Sequence, residues 1–238
     1  MKDYQKTFKR VFVTGDVHAD RYDLEIRVSR IPRVSKDDLL IILGDSGFFY
    51  NVFHNDIETD YLLQDFANSL PITILCIQGN HELPFKRLKL ERIKVLGASG
   101  YTSHGIYFVE NGETMVINDK KCLVVGGAYS VDKPTRIYCN WAWWKDEELS
   151  DEELQKIEAG VCNESFDYVF THTCPYSKLP REAFLPGVNQ SEVSNRTELA
   201  LERIKNSIEY KEWYCGHFHI EKKDGDVFFL FHKVKQII

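Results

Sequence analysis

Arg10-Val11-Phe12-Val13-Thr14-Gly15-Asp16-Val17-His18 decides the fold of this chain. Its first five residues are largely apolar or β-branched and read as a buried strand. A glycine stops that strand, and an aspartate and a histidine follow. The same design recurs downstream. Leu39-Leu40-Ile41-Ile42-Leu43 runs into Gly44-Asp45, and Pro71-Ile72-Thr73-Ile74-Leu75-Cys76-Ile77 runs towards Gly79-Asn80-His81-Glu82. Helical stretches separate these strands. Asp20 can cap the first, which carries Leu24, Ile26 and Val28 and ends at Pro32; the second spans Asp56 to Asn68. Strand–helix–strand–helix–strand at this spacing predicts βαβ units and a parallel sheet, hence an α/β protein. Open α/β sheets bind ligands beyond the carboxyl ends of their strands, where Asp16, Asp45 and Asn80 stand.

From Lys94 to Gly127 the pattern becomes strand-rich. Ile106–Val109, Thr114–Ile117 and Cys122–Val125, joined by Asn111-Gly112 and Asn118-Asp119, predict antiparallel hairpins. A Trp-rich loop over residues 128–148 holds Trp141, Trp143 and Trp144. Ser150-Asp151-Glu152-Glu153 begins a helix with a capping-box pattern. Tyr168-Val169-Phe170 is a strand feeding Thr171-His172, and Ser194 to Ile208 is a helix. Trp213-Tyr214-Cys215 feeds Gly216-His217-Phe218-His219, and Val227 to Val234 reads as the closing strand. No repeat or low-complexity linker interrupts the 238 residues, which predicts a single domain over residues 1–238.

Composition narrows the function classes. Hydrophobic residues make up 43% and charged residues 28%, as expected of a soluble chain with a substantial core. The net charge of −6, without a basic block, argues against a broad surface for duplex nucleic acid. A nucleotide or an RNA end held by metals stays open. The N-terminal stretch lacks the apolar core of a signal peptide, and no run approaches the roughly 18 apolar residues of a membrane span. Six cysteines, at 76, 122, 139, 162, 174 and 215, show no Cys-x-x-Cys spacing. They read as buried free thiols in a reducing cytoplasm.

Five polar blocks carry the chemistry: Asp16-Val17-His18, Gly44-Asp45, Gly79-Asn80-His81-Glu82, Thr171-His172 and Gly216-His217-Phe218-His219. Carboxylate, imidazole and amide oxygen suit borderline divalent cations such as Mn, Fe, Zn, Co or Ni. In extended chain, Asp16 and His18 would point the same way and meet one cation, and His217 and His219 repeat that spacing. Asp45 could bridge two cations, Asn80 offers a neutral oxygen, and His172 supplies a further nitrogen. Two cations sharing a ligand usually serve phosphate-ester chemistry.

These five blocks, in this order, resemble the calcineurin-like metallophosphoesterase superfamily, and the likeness spans residues 16 to 219. The resemblance implies a two-sheet β-sandwich flanked by helices, a four-layer α/β/β/α fold. It implies one metal held by Asp16, His18, Asp45 and His219, and another held by Asp45, Asn80, His172 and His217. Mn²⁺ would be the leading candidate. His81 would not bind metal but would face the scissile phosphate and assist the leaving group, while a metal-bridging hydroxide attacks phosphorus. The chain departs from the protein Ser/Thr phosphatase branch, in which Asp-Arg-Gly continues the Gly-Asp motif. Here Ser46-Gly47-Phe48-Phe49-Tyr50 follows Asp45. The aspartate that would orient His81 and the phosphate-binding arginine are therefore missing from that place.

Other residues are candidates by position. Arg136, helped by Tyr129, could reach substrate phosphate from the segment after the 122–125 strand. The Trp141–Trp144 stretch could stack a nucleobase or pack its loop onto the sandwich. Asp146-Glu147-Glu148 reads as solvated charge, and His54, His104 and His232 as ordinary surface or core histidines. The expected function is a phosphoesterase acting on a phosphorylated small molecule or nucleotide, monoester or diester. A nuclease or cyclic-nucleotide phosphodiesterase is the alternative, and a non-catalytic interaction module on the same fold is a third reading.

Overall fold

Fourteen strands build two sheets in the computed structural model, which describes residues 1–238. The first sheet contains β1 (Lys2–Tyr4), β2 (Arg10–Thr14), β3 (Asp38–Ile42), β4 (Thr73–Cys76), β5 (Glu91–Val95), β6 (Ala98–Ser103) and β7 (Ile106–Val109). The second contains β8 (Thr114–Ile117), β9 (Lys120–Val125), β10 (Ser165–Thr171), β11 (Glu209–Cys215), β12 (Lys222–Asp224) and β13 (Val227–Phe229). The last strand, β14 (Lys235–Gln236), returns to the first sheet and pairs antiparallel with β2. The orders are β1-β5-β6-β7-β4-β3-β2-β14 and β12-β13-β11-β10-β9-β8.

Side-chain alternation explains why two sheets stack. Val11 and Val13 of β2, with Leu39 and Ile41 of β3, face inward and meet Met115, Val124, Phe170 and Tyr214 of the second sheet. Phe12, Leu40 and Ile42 point the other way, onto α1 (Arg21–Ser29) and α2 (Ile57–Ser69). Three further helices are α3 (Lys133–Tyr138), α4 (Asp151–Val161) and α5 (Arg196–Ser207). On the outer face of the second sheet, Leu123, Val169 and Trp213 pack against Leu154 of α4 and Leu201 of α5. Strands apolar on both faces thus produce the expected α/β/β/α layers. The predicted caps form as well. Asp20 and Asp56 accept backbone N–H groups at the starts of α1 and α2, and Ser150 with Glu153 closes a capping box on α4.

Four expectations are corrected. Asn118-Asp119, with φ of 48° and 62°, is the turn of a β8–β9 hairpin, but Asn111-Gly112 carries the chain from one sheet to the other. The second sheet is mainly parallel, because α4 and α5 supply crossovers linking β9 to β10 and β10 to β11. The closing strand stops at Phe229, where the chain leaves the second sheet to reach β2. Within the 128–148 loop, residues 133–138 form the short α3, with Pro134 tolerated in its first turn.

Candidate functional site

Parallel strands in both sheets end at one edge. Asp16 follows β2, Asp45 follows β3, and Asn80 with His81 follows β4. His172 follows β10, and His217 and His219 follow β11, which pairs in parallel with β10. The blocks therefore converge in space. His219 Nε2 lies 3.1 Å from Asp16 Oδ2 and 2.8 Å from His18 Nε2. His172 Nε2 lies 2.7 Å from Asn80 Oδ1 and 3.5 Å from Asp45 Oδ2. Ligand atoms of Asp16, His18 and His219 fall within 4.8 Å of one another, and so do those of Asp16, Asp45 and His172. His217 belongs to neither trio. Its backbone N–H donates to Asp16 Oδ1 at 2.8 Å, and its ring lies 5.0 Å from that of His172.

The local backbone is not the extended chain expected at Asp16–His18 and His217–His219. His18, Asp45, His217 and His219 have φ of 52°, 48°, 65° and 52°. Left-handed turns, held by surrounding hydrogen bonds, bring the side chains inward instead. The motif glycines make room for them. A Cβ on Gly44 would collide with the His172 ring, one on Gly79 with the Asp45 carboxylate, and one on Gly216 with the Asp16 carboxylate.

Outer contacts aim these donors. His172 Nδ1 sits 2.7 Å from the Leu43 carbonyl, so it carries the proton and leaves Nε2 facing the carboxylates. His18 Nδ1 pairs with the Tyr50 hydroxyl at 2.9 Å. Asn80 Nδ2 donates to Ser130 Oγ at 2.8 Å, and Ser130 Oγ donates to Glu147 Oε2 at 2.5 Å, which fixes the amide with its oxygen towards His172. Arg27 of α1, itself buried, donates to the carbonyls of Gly15 and Asp16 at 3.1 and 2.7 Å.

The electrostatics suit divalent cations. Burial pushes the Asp45 carboxyl up, but the charges of His81 and His172 outweigh it and hold the group well below the usual range. Burial pulls His172 down, yet Asp45 and Asp16 push it up to about 9. Two buried carboxylates thus draw a proton into an oxygen- and nitrogen-lined cluster, and a bound cation would satisfy the same demand. Asp16, His18, Asp45, Asn80, His172 and His219 fit a divalent metal in donor type and position.

His81 lies at the edge of this cluster. Its backbone N–H donates to Asp45 Oδ1 at 3.0 Å, and its Nε2 is 3.8 Å from Asp45 Oδ2. Burial pulls the ring down to about 4, with Asp45 opposing and the Arg136 charge assisting. Arg136 Nη2 lies 2.9 Å from His81 Nε2. The guanidinium is braced by Asp132, both of whose carboxylate oxygens are 2.8 Å from Nε, and by the Ala142 carbonyl, 3.0 Å from Nη1. Tyr129 lines the same cavity as His81.

Several residues escaped the sequence reading. Glu82, within a quoted motif but given no role, is fully buried and accepts from Ser46 Oγ and from the N–H groups of Gly47 and Gly79, at 3.0 and 3.1 Å. It ties together the loops after β3 and β4. Glu147 and Glu148 are buried rather than solvated, because Ser130 and the start of α5 provide their donors. Trp144 packs on Phe53 with Arg87 over its ring, while Trp141 is exposed. His54, His104 and His232 are exposed. Four cysteines are buried as expected, but Cys139 and Cys162 are exposed, and all six are free thiols. No helix is long and apolar enough to cross a membrane.

Comparison with curated proteins gave no match. The model of the calcineurin-like phosphoesterase family matches residues 9–221. That span begins just before β2 and ends just beyond His219, taking in every strand end that contributes to the cluster. The chain belongs to the calcineurin-like phosphoesterase family.

Proposed function

We propose that this protein is a binuclear metal-dependent phosphoesterase, carried on one domain, that hydrolyses a phosphomonoester or phosphodiester of a small molecule or nucleotide. The observation that carries this reading is the convergence of Asp16, His18, Asp45, Asn80, His172 and His219 beside a non-ligand pair, His81 and Arg136. Asp16, His18, Asp45 and His219 would hold one cation, and Asp45, Asn80, His172 and His217 the other. Mn²⁺ fits this donor set, as do Fe, Zn, Co and Ni. When bound, the cations supply an activated water and neutralise phosphate oxygens.

The chain's own groups do the rest. Arg136, pinned by Asp132 and the Ala142 carbonyl, offers its remaining N–H groups to phosphate oxygens. Beside it, His81 assists the leaving group by donating an N–H hydrogen bond to the leaving oxygen. The free thiols are in keeping with a reducing cytoplasm.

Metal removal tests the proposal. Chelation should abolish hydrolysis of an aryl phosphate and of its methyl diester, and Mn²⁺ should restore it. Activity indifferent to both treatments would refute the reading. Turnover of the monoester alone would exclude the nuclease or cyclic-nucleotide alternative, for which the exposed Trp141 provides a stacking surface.

A further inference from the structure

A cavity of about 260 Å³ opens from the metal-ligand cluster towards the segment 179–193. Asp45, His81 and His217 line its inner end. Leu179, Phe184, Val188, Val193 and Phe218 supply apolar lining, beside polar residues such as Gln190 and Asn195. A phosphoryl group placed at His81 would therefore send its organic substituent along an apolar wall.

Glu198 of α5 lines the cavity and is 4% exposed. Its Oε1 accepts from Thr173 Oγ1 at 2.7 Å, whereas Oε2 is buried without a hydrogen-bond partner. A buried acceptor left without a donor is costly, because it has given up water and gained nothing in return. The carboxylate would repel a phosphate, so its missing partner belongs to the uncharged end of a ligand.

We propose that the substrate's organic group is a ring system bearing an N–H or O–H donor, held between Phe184 and Phe218, with Glu198 Oε2 accepting from that donor. This rests on the phosphoesterase reading above and adds the class of leaving group. A cavity of this volume suits a single ring system rather than a larger ligand.

Phosphonates that cannot be hydrolysed test it, because the anionic head stays constant while the tail varies. Methylphosphonate, (2-naphthylmethyl)phosphonate and its 6-amino derivative would be titrated calorimetrically into the Mn²⁺-loaded protein at pH 8. The naphthyl tail should tighten binding about tenfold, and the amine should add about fivefold. Phe184→Ala should erase most of the naphthyl gain. Glu198→Gln should erase the amine gain, because its amide oxygen would take the Thr173 hydroxyl and turn an NH₂ group to the cavity. Equal binding of the methyl and naphthyl compounds would overturn the proposal, as would an amine gain that survives Glu198→Gln. Hydrolysis of 4-nitrophenyl phosphate by the same preparation separates the two levels. Turnover without a tail effect sinks the leaving-group proposal alone, while absence of turnover and of methylphosphonate binding sinks both.

Discussion

Arg136 Nη2 stands 2.9 Å from His81 Nε2. A guanidinium can only donate, so Nε2 accepts and the ring proton resides on Nδ1 in this state. Asp132 holds the arginine in turn, through Nε. The chain thus brings an arginine to His81 from α3, far in sequence from the Gly-Asp motif where the protein phosphatase branch keeps its own.

Arg136→Ala should lower kcat or raise KM about tenfold or more, some 1.4 kcal/mol of transition-state stabilisation. Arg136→Lys should rescue little, since lysine cannot bond Asp132, Ala142 and phosphate together. Steady-state kinetics decides this, and unchanged constants would remove Arg136 from the site.

Asp45→Ala should be the most damaging single substitution. It removes the carboxylate nearest both His172 and His81. Elemental analysis should show the metal content falling together with activity, by more than about a hundredfold in the latter. Full metal occupancy in the variant would contradict the shared-ligand role.

Ser130→Ala breaks the Asn80–Ser130–Glu147 chain while sparing every metal ligand. Mn²⁺ affinity at one of two sites should fall about 10–100-fold, the usual effect of losing an outer partner. A binding isotherm identical to that of the unaltered protein would show that Asn80 needs no such support.

Glu82→Ala should destabilise the fold by about 3 kcal/mol, because it strands the buried donors of Ser46, Gly47 and Gly79. Urea unfolding measures this directly. A loss below about 0.5 kcal/mol would mean that water replaces the carboxylate without penalty.

Glu198 gives a pH signature. Burial pushes its carboxyl up to about 7, with the Glu148 charge adding to the rise and Thr173 and His172 opposing it. The folded state therefore holds this proton more tightly than the unfolded chain. Its contribution to stability is complete below the unfolded value near 4.3 and declines as pH rises towards about 7. Urea midpoints at pH 5 and pH 8 should differ less in Glu198→Gln than in the parent protein. An unchanged difference would place the ionised carboxylate in a better-solvated setting than its burial implies.

Much of this was legible because it is local. A run such as Leu39–Leu43 announces a buried strand, Gly44 announces its end, and Asp20, Asp56 and Ser150 announce helix starts through side chains that reach only three residues ahead. What failed depended on distant partners. Nothing near Glu147 signals that Ser130 will donate to it twice, so its charge looked solvated. Nothing near β10 says which neighbours its crossovers will give it, β9 on one side and β11 on the other.

The sequence alone determined the alternation of strands and helices, the order of the polar blocks and the residue types that can hold metal, since these follow from periodicity and donor chemistry. Only the tertiary structure decided which groups meet. It turned His18 and His219 inward on left-handed backbone, set Arg136 against His81, and left Glu198 Oε2 without a partner beside the cluster. These are contacts between segments up to 201 residues apart, as between His18 and His219. Their geometry is fixed by how the sheets stack and where the loops cross, which no local stretch of chain encodes.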